Sequence, residues 1–269
     1  MSIAKVSLIA KVSLMKIKGK IIVVTGAANG IGQALAIRFS KEKAKKIVCV
    51  DIDESGVEKI AHKIKGNAIA ADVSNAHSMK ELIAKTEREI GPIDLFCSNA
   101  GVSIQGGVDI EDENWDKLWK TNVMSHVWAA RNLIPLMVKR GGGYLLNTIS
   151  AAGLLNQIGS APYGVTKHAA VGLSEWIAIT YGAKGIKVSI LCPQAVKTRM
   201  LQGNEEGVAS IDGILTADAV AKSCVKGIKD EIFLILPHRE VAKYIKRKAK
   251  DYGKWIVNMQ NLNSRFEKF

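Results

Sequence analysis

Short apolar runs of strand length alternate along the chain with segments whose apolar residues recur at helical spacing. The runs occupy residues 21–24, 47–50, 68–71, 93–97, 144–148, 188–192 and 232–236. Most are apolar at successive positions, not at every second one, which indicates strands buried on both faces of a parallel sheet. With helical segments between most of them, the pattern predicts a doubly wound α/β fold of about seven strands with helices on both faces.

No proline-rich or glycine- and serine-rich linker divides the 269 residues, so we expect one domain with residues 15–237 as its body. Residues 1–14 contain the hexapeptide Ile-Ala-Lys-Val-Ser-Leu twice. We interpret them as a dispensable N-terminal extension and Met15 as the working start. Aromatic and apolar residues within 238–269 recur mainly at spacings of three, four or eight. They predict one basic, amphipathic C-terminal helix that packs on the same domain or on a partner subunit.

The formal net charge of +13 lies mostly at the two ends of the chain. Residues 1–20 contain five lysines and no acidic residue, and residues 239–269 contain nine Lys or Arg against three Asp or Glu. A nucleic-acid-binding protein is expected to carry a basic stripe on its folded surface, so we predict no nucleic-acid partner. We also predict no membrane partner, because no segment offers about 20 uncharged apolar residues or the apolar core of a signal peptide.

The cysteines and histidines show no metal-ligand or disulfide pattern. The four cysteines are far apart in the sequence, and three of them, Cys49, Cys97 and Cys192, sit inside apolar runs. A free thiol in such a run packs as a small hydrophobic group. The sequence therefore predicts no metal site and a reducing, cytoplasmic compartment.

A glycine-rich segment, residues 25–32 with the sequence TGAANGIG, joins the first predicted strand to the first predicted helix. In this position glycines let the backbone approach a pyrophosphate closely, and the helix N-terminus supplies free N–H groups. The segment predicts a Rossmann-like dinucleotide site formed by Gly26, Asn29, Gly30, Ile31 and Gly32.

The second predicted strand ends at Asp51, nineteen residues after the last of these glycines, and we expect Asp51 and the next residue, Ile52, to contact the cofactor. A carboxylate there can accept hydrogen bonds from the ribose hydroxyls of an adenosine and would repel a 2′-phosphate. Positions 27–29 hold no Lys or Arg, and Arg38 is about two turns into the helix. NAD is therefore favoured over NADP as the cofactor. Asp72 follows the third strand, and the sequence leaves two roles open for it: it can cap the next helix or contact the edge of the adenine ring.

A tyrosine and a lysine four residues apart predict proton-transfer chemistry. Tyr163 and Lys167 would share one face of a helix. A free phenol has a pKa of about 10, and a nearby ammonium would favour the phenolate and lower that pKa. This pair suits proton exchange with an alcohol. Ser150 comes at the end of the fifth predicted strand, where open α/β sheets bind ligands, and its hydroxyl is predicted to hold the substrate oxygen.

Across residues 18–236 these motifs together resemble the non-extended branch of the short-chain dehydrogenase/reductase family. Residues 25–32 are similar to its TGxxxGxG segment, and residues 98–101 (SNAG) to its NNAG segment. Asn122 matches its active-site asparagine, and the tyrosine and lysine match its YxxxK pair. The resemblance implies an oxidoreductase that moves hydride between a nicotinamide cofactor and a carbonyl carbon.

The resemblance also implies a role for each matching residue. Tyr163 would be the general acid and base, Lys167 would lower its pKa and hold the nicotinamide ribose, and Ser150 would orient the carbonyl. Asn122 would anchor a water molecule that links Lys167 to solvent. Further cofactor contacts would come from Asp72, Val73, Asn99, Ala100, Gly101, Pro193, Val196 and Thr198.

The substrate pocket implied by the resemblance is mostly apolar, which predicts a mostly apolar secondary alcohol or ketone. Gln194 stands where the family usually has glycine, so it is either strained, if a positive φ is required there, or free to contact substrate. Residues 199–213 predict a mobile substrate loop. The family commonly forms homodimers or homotetramers, and a catalytically silent NAD-binding sensor or scaffold is the alternative function. The predicted pocket consists of Val102, Ile104, Ala152, Leu154, Leu155, Gln194 and Ala195.

Overall fold

The computed structural model describes residues 14–266. Its strands are β1 (Ile21–Thr25), β2 (Lys46–Asp51), β3 (Asn67–Ala70), β4 (Leu95–Ser98), β5 (Gly143–Thr148), β6 (Ile186–Leu191), β7 (Val196–Lys197), β8 (Leu215–Thr216) and β9 (Leu234–Ile235). Seven of them form one parallel sheet in the order β3-β2-β1-β4-β5-β6-β9, and β7 pairs with β8 in a separate parallel ladder. The predicted doubly wound α/β fold with seven strands is confirmed.

Helices cover both faces of this sheet. They are α1 (Gly30–Lys41), α2 (Glu54–Ile64), α3 (Ala76–Glu89), α4 (Asp112–Trp119), α5 (Ser125–Lys139), α6 (Ala152–Leu155), α7 (Ala161–Tyr181), α8 (Ala217–Lys229), α9 (Glu240–Lys250) and α10 (Tyr252–Phe266). A single π-helical turn, Lys120–Met124, joins α4 to α5. In the part of the chain that the structure describes, no helix combines the length and apolar character needed to cross a lipid bilayer.

The two faces of the sheet bury separate clusters of side chains, because successive residues of a strand point to opposite faces. Ile22 and Val24 of β1 belong to the cluster that includes α1, α2 and α8, whereas Val23 belongs to the cluster that includes α3, α5 and α7. All three are completely buried. Full burial of such a side chain contributes roughly 1.5–3 kcal/mol, so the continuous apolar strands hold helices on both sides.

The C-terminal segment forms two helices, not the single helix that the sequence predicted. The chain is extended at Asp251, whose carboxylate accepts a hydrogen bond from the backbone N–H of Lys254. An aspartate in this geometry begins a new helix, so α9 ends and α10 starts there. Val241 of α9 is fully buried against Leu155, and Trp255 of α10 packs against the same cluster.

The four cysteines are buried as free thiols, as the apolar runs around Cys49, Cys97 and Cys192 predicted for those three. Burial raises the pKa of Cys49 and of Cys192 to about 12, so both stay protonated at neutral pH. Among residues 14–266 no cluster of three or more His, Cys, Asp or Glu could hold a metal ion. The predicted N-terminal extension lies, apart from Leu14, outside the described residues.

Candidate active site

A cavity of about 610 Å³ opens at the carboxyl ends of the parallel strands. It spans the junction of β1 and β4, where the strand order reverses and where open α/β sheets bind ligands. Gly26, just after β1, and Asp51, at the end of β2, line it. Ser150, which follows β5, and Tyr163 and Lys167 of α7 line it as well. The predicted dinucleotide residues and the predicted proton-transfer residues therefore meet in one cavity.

The glycine-rich turn after β1 packs tightly against the segment that follows β4. Gly26 has a φ of +67°, and a Cβ there would lie only 2.9 Å from Ala100 Cα. Thr25 Oγ1 accepts hydrogen bonds from the backbone N–H groups of Asn99 (2.9 Å) and Ala100 (3.1 Å). A Cβ at Gly32 would lie 2.1 Å from Gly26 O. Gly32 thus packs helix α1 onto the turn and is the one predicted cofactor residue that does not line the cavity.

Asp51 organises the turn after β2 and also lines the cavity. Its Oδ2 accepts a hydrogen bond from Ala28 N–H (2.9 Å) and its Oδ1 one from Asp53 N–H (3.1 Å). Each carboxylate oxygen retains a second lone pair. Arg38 points elsewhere, because its guanidinium pairs with Glu42 at 2.9 Å.

Asp72 stabilises the turn before α3. Its Oδ1 accepts hydrogen bonds from the backbone N–H (2.8 Å) and the hydroxyl (2.7 Å) of Ser74. Asn75, and not Asp72, caps α3, because the Asn75 side chain accepts from Ser78 N–H at 3.0 Å. Asp72 and its neighbour Val73 both line the cavity, so contact with a ligand remains open to them.

Ser150, Tyr163 and Lys167 form a compact polar group at the β5 side of the cavity. Lys167 is one helical turn after Tyr163 on α7, and its Nζ lies 5.5 Å from the centre of the Tyr163 ring. That Nζ donates a long hydrogen bond to Thr148 O (3.4 Å). Ser150 Oγ accepts from Ala152 N–H (3.1 Å) and is hydrogen-bonded to the Tyr163 phenol.

Burial dominates the proton affinities of this group. Desolvation raises the pKa of Tyr163 above its ordinary value, and the Ser150 hydrogen bond opposes this only in part. Desolvation also lowers the pKa of Lys167 to about 8. The pKa of Tyr163 is therefore raised overall, not lowered as the sequence predicted, because burial of the phenol is the largest effect on it.

Asn122 lies behind the cavity wall, completely buried in the π-helical turn. Its side chain donates to Val102 O (2.9 Å) and accepts from Val102 N–H (3.0 Å). A Cβ at Gly101 would lie 3.2 Å from Asn122 Oδ1 and 3.4 Å from Lys167 Nζ. Asn122 thus fixes the backbone beside Lys167, although its side chain does not reach the cavity.

The substrate side of the cavity is more polar than predicted. Val102, Gln194 and Ala195 line it as expected, and Ser103, Gln105 and Gln157 join them. Four predicted residues do not line it: Ile104, Ala152, Leu154 and Leu155.

Local geometry explains these corrections. In the segment after β4, Ser103 and Gln105 line the cavity while Ile104 does not, and the carbonyl of Ile104 accepts a hydrogen bond from the Ser160 hydroxyl. Helix α6 turns its apolar residues into the core, where Leu155 is buried against α9. No periodic signal in the sequence singles out Gln105, because the segment after β4 has no regular structure and the neighbours Val102 and Ser103 both line the cavity.

The structure also decides between the two readings of Gln194. Its backbone is not among the positive-φ positions, so the family's glycine is not needed here for conformational reasons and the strain reading is wrong. In the loop 199–213 two short 3₁₀ turns, Arg199–Leu201 and Val208–Ser210, form part of the cavity wall. Ala195 N–H donates to Ala209 O (3.0 Å) and holds this loop near the substrate side.

Comparison with known proteins agrees with this geometry. The sequence profile of the short chain dehydrogenase family matches residues 20–209. The meso-2,3-butanediol dehydrogenase of Serratia marcescens is 33% identical over 193 residues, which cover 70% of this chain and 76% of that protein. The 3beta-hydroxysteroid dehydrogenase of Mediterraneibacter gnavus is 33% identical over 189 residues, 68% of each chain.

A solved structure extends the similarity over nearly the whole chain. The crystal structure of a short-chain dehydrogenase/reductase from Burkholderia phymatum in complex with NAD has a TM-score of 0.81 and 25% identity. The match covers 92% of this chain and 97% of that one. The family resemblance seen in the motifs is confirmed, and the chain belongs to the short-chain dehydrogenase family.

Proposed function

We propose that this protein is an NAD(H)-dependent oxidoreductase that interconverts a secondary alcohol and a ketone on a small molecule, with Tyr163 as the general acid and base. One observation carries the proposal: Ser150, Tyr163 and Lys167 line the same cavity as the glycine turn after β1. Proton-transfer groups serve a dehydrogenase when they lie beside the site of the hydride carrier.

The cavity fits a dinucleotide. Asn99 Oδ1 and Thr148 Oγ1 are buried without a hydrogen-bond partner among residues 14–266, and both residues line the cavity, so a polar ligand would satisfy them. The glycine turn and the start of α1 suit a pyrophosphate, and Asp51 offers free lone pairs to ribose hydroxyls. The NAD in the Burkholderia phymatum structure supports the same cofactor here. When bound, its nicotinamide ring would accept hydride in oxidation and donate it in reduction.

Tyr163 and Ser150 would handle the substrate oxygen. In ketone reduction the Ser150 hydroxyl donates a hydrogen bond to the carbonyl oxygen, and the Tyr163 phenol gives that oxygen its proton as the carbon receives hydride. In oxidation the proton returns to Tyr163. Burial keeps the phenol protonated, because it raises the pKa of Tyr163, so the cavity is ready for reduction. Oxidation requires the phenolate, which the Ser150 hydroxyl and a charged Lys167 would stabilise.

Lys167 would hold the nicotinamide ribose. Its ammonium has three donors, of which the structure engages one, with Thr148 O. Asn122 would support this arrangement by fixing Val102 and Gly101 beside Lys167. The water molecule expected at Asn122 stays a prediction.

The substrate would be a small-molecule alcohol or ketone. The relatives from Serratia marcescens and Mediterraneibacter gnavus are named for a butanediol and a hydroxysteroid, which are both secondary alcohols. A homodimer or homotetramer without a nucleic-acid or membrane partner remains the expected assembly. The alternative, a silent NAD-binding sensor, does not account for a serine, a tyrosine and a lysine converging in one cavity.

Absorbance at 340 nm tests the proposal directly. Purified protein would be mixed with NAD⁺ and a panel of secondary alcohols, diols, polyols, hydroxysteroids and hydroxy acids, with NADP⁺ in parallel. We expect NADH formation with at least one class of secondary alcohol. Tight NADH binding with no turnover across the panel would instead support the sensor.

Asp51 should set the preference for NAD over NADP. Asp51→Asn removes the charge that repels a 2′-phosphate, so the ratio of kcat/KM for NAD⁺ to that for NADP⁺ should fall about ten- to a hundredfold. Asp53→Asn is the matched control: it removes a neighbouring charge but keeps a good cap for α2, and the ratio should change less than about threefold. Equal shifts in both variants would show that the preference is only a general charge effect.

A further inference from the structure

Gln194 lies next to the proposed reaction centre. It follows Pro193, whose carbonyl oxygen accepts a long hydrogen bond from Ser150 Oγ (3.4 Å), and it lines the cavity. Its backbone N–H donates to His238 Nδ1 at 3.1 Å. Since His238 Nδ1 accepts this bond, the His238 ring is neutral, and burial, which lowers the pKa of His238, keeps it so.

The carboxamide of Gln194 has one defined orientation. Its Nε2 donates to Asp212 Oδ2 at 2.9 Å, and Asp212 Oδ1 accepts from the Tyr244 hydroxyl at 2.9 Å. A carboxylate only accepts hydrogen bonds, so the NH₂ end of the amide must face Asp212. Three elements, the segment after β6, the loop 199–213 and helix α9, thus hold the amide in place.

This orientation leaves the carbonyl oxygen of Gln194 without a donor. Gln194 Oε1 is buried and has no hydrogen-bond partner among residues 14–266. Buried acceptors are normally satisfied, and one that is not calls for a missing partner. The amide of Gln157 is oriented in a similar way, because its Nε2 donates to Ile158 O at 3.0 Å and its carbonyl oxygen takes no part in that bond.

We propose that Gln194 is a specificity-determining residue whose Oε1 accepts a hydrogen bond from a second hydroxyl of the substrate, next to the carbon that is oxidised. The substrate class is then vicinal diols and the corresponding hydroxyketones, not purely apolar alcohols. The inference rests on the proposed function and deepens it. Asp212 and Tyr244 are positioning residues that act through the Gln194 amide.

A pair of probes, one with a second hydroxyl and one with a methoxy group in its place, tests the inference. Butane-2,3-diol carries the second hydroxyl, whereas 3-methoxybutan-2-ol keeps its oxygen but lacks the proton. With NAD⁺, wild-type kcat/KM should favour the diol by about tenfold or more. Gln194→Met is similar in length but has no amide, and the ratio should fall to within about threefold of unity. A ratio that stays at the wild-type value in Gln194→Met would overturn the proposal, and so would a wild type that does not discriminate.

Two tyrosine variants separate positioning from general loss of structure. Tyr244→Phe removes the hydroxyl that holds Asp212 while every cavity-lining side chain remains, and the diol-to-ether ratio should fall to an intermediate value. Tyr252→Phe changes an exposed tyrosine on α10 and should keep the wild-type ratio. A purely structural role of Tyr244 would lower the rates with both probes equally and leave the ratio unchanged, which would contradict the positioning role.

Ligand binding distinguishes failure of this inference from failure of the proposed function. If no alcohol yields NADH, the same two probes are compared by the melting temperature that each gives to NAD⁺-loaded wild type and Gln194→Met. Greater protection of wild type by the diol, lost in Gln194→Met, would support the Gln194 contact even though the proposed chemistry had failed. Equal protection by both probes would overturn the contact itself.

Discussion

Replacing Tyr163 with phenylalanine is expected to lower kcat/KM for the best alcohol substrate by about 10³-fold, within the range that general acid–base catalysis contributes. The phenol is the only group placed to exchange a proton with the substrate oxygen in the proposed mechanism, since Ser150 serves there to polarise it. The ring itself stays in place, so the affinity for NADH should change less than about threefold. Steady-state kinetics at 340 nm and a fluorescence titration with NADH measure the two quantities.

The matched control is Tyr181→Phe, which removes a hydroxyl from the same helix at a residue that does not line the cavity. Its kcat/KM should stay within about twofold of wild type, as for most substitutions far from a site. Turnover retained by Tyr163→Phe would refute the assignment of Tyr163 as the acid and base. A parallel loss of NADH affinity would instead mean that the phenol mainly holds the cofactor.

Local rules explain why much of this site was predictable. Spacing of four residues on a helix places Tyr163 and Lys167 on one face wherever that helix lies. The ends of parallel strands share one edge of the sheet, so Ser150 after β5 and the glycine turn after β1 had to open onto the same side. Neither deduction needs to know how the side chains pack.

Side-chain direction within irregular segments was not predictable in the same way. The segment after β4 has no regular secondary structure, so its residue spacing does not show which residues face the cavity. Ile104, which was expected from the family resemblance, does not line the cavity, whereas Gln105 does. The residues of α6 were expected there because they follow β5 closely. The helix turns them towards Val241 of α9 instead, a contact between residues far apart in the chain.

The predicted lowering of the pKa of Tyr163 was wrong for a related reason. Spacing places Lys167 beside Tyr163, but it does not reveal how much water either group keeps. Lys167 is 3% exposed, and burial alone brings the pKa of its ammonium to about 8. Depth in the fold is set by α7 packing on the sheet, so the net rise in the pKa of Tyr163 emerged only with the tertiary structure.

The same burial predicts that Lys167→Met makes the protein without cofactor more stable at pH 7. An unfolded lysine has a pKa of 10.5 and the folded one about 8. Below pH 8 both states hold the proton, and the folded state carries the full cost of a buried charge. This difference corresponds to roughly 3 kcal/mol, taken as an upper limit. Methionine has a similar stem and no charge, so the melting temperature should rise by several degrees.

The pH dependence gives this prediction its sign. Between pH 8 and 10.5 the folded wild type has released the proton while the unfolded chain still binds it, so wild-type stability rises with pH in that window. Lys167→Met lacks this contribution, and its advantage over wild type should shrink towards zero as pH approaches 10.5. Thermal unfolding of both proteins at several pH values, without cofactor, measures the difference.

The catalytic activity of Lys167→Met should fall, although its stability should rise. Without the ammonium, nothing stabilises the Tyr163 phenolate or holds the ribose, so kcat/KM for alcohol oxidation by Lys167→Met should fall about a hundredfold or more. Lys184→Met, at an exposed lysine on the loop after α7, is the control, and it should change stability by less than about 0.5 kcal/mol. If Lys167→Met melts below wild type at pH 7 and the gap stays constant up to pH 10.5, Lys167 is a stabilising charge in the folded protein. A gain in stability joined to a loss of turnover would instead mean that the buried ammonium is kept for its chemistry at a cost to the fold.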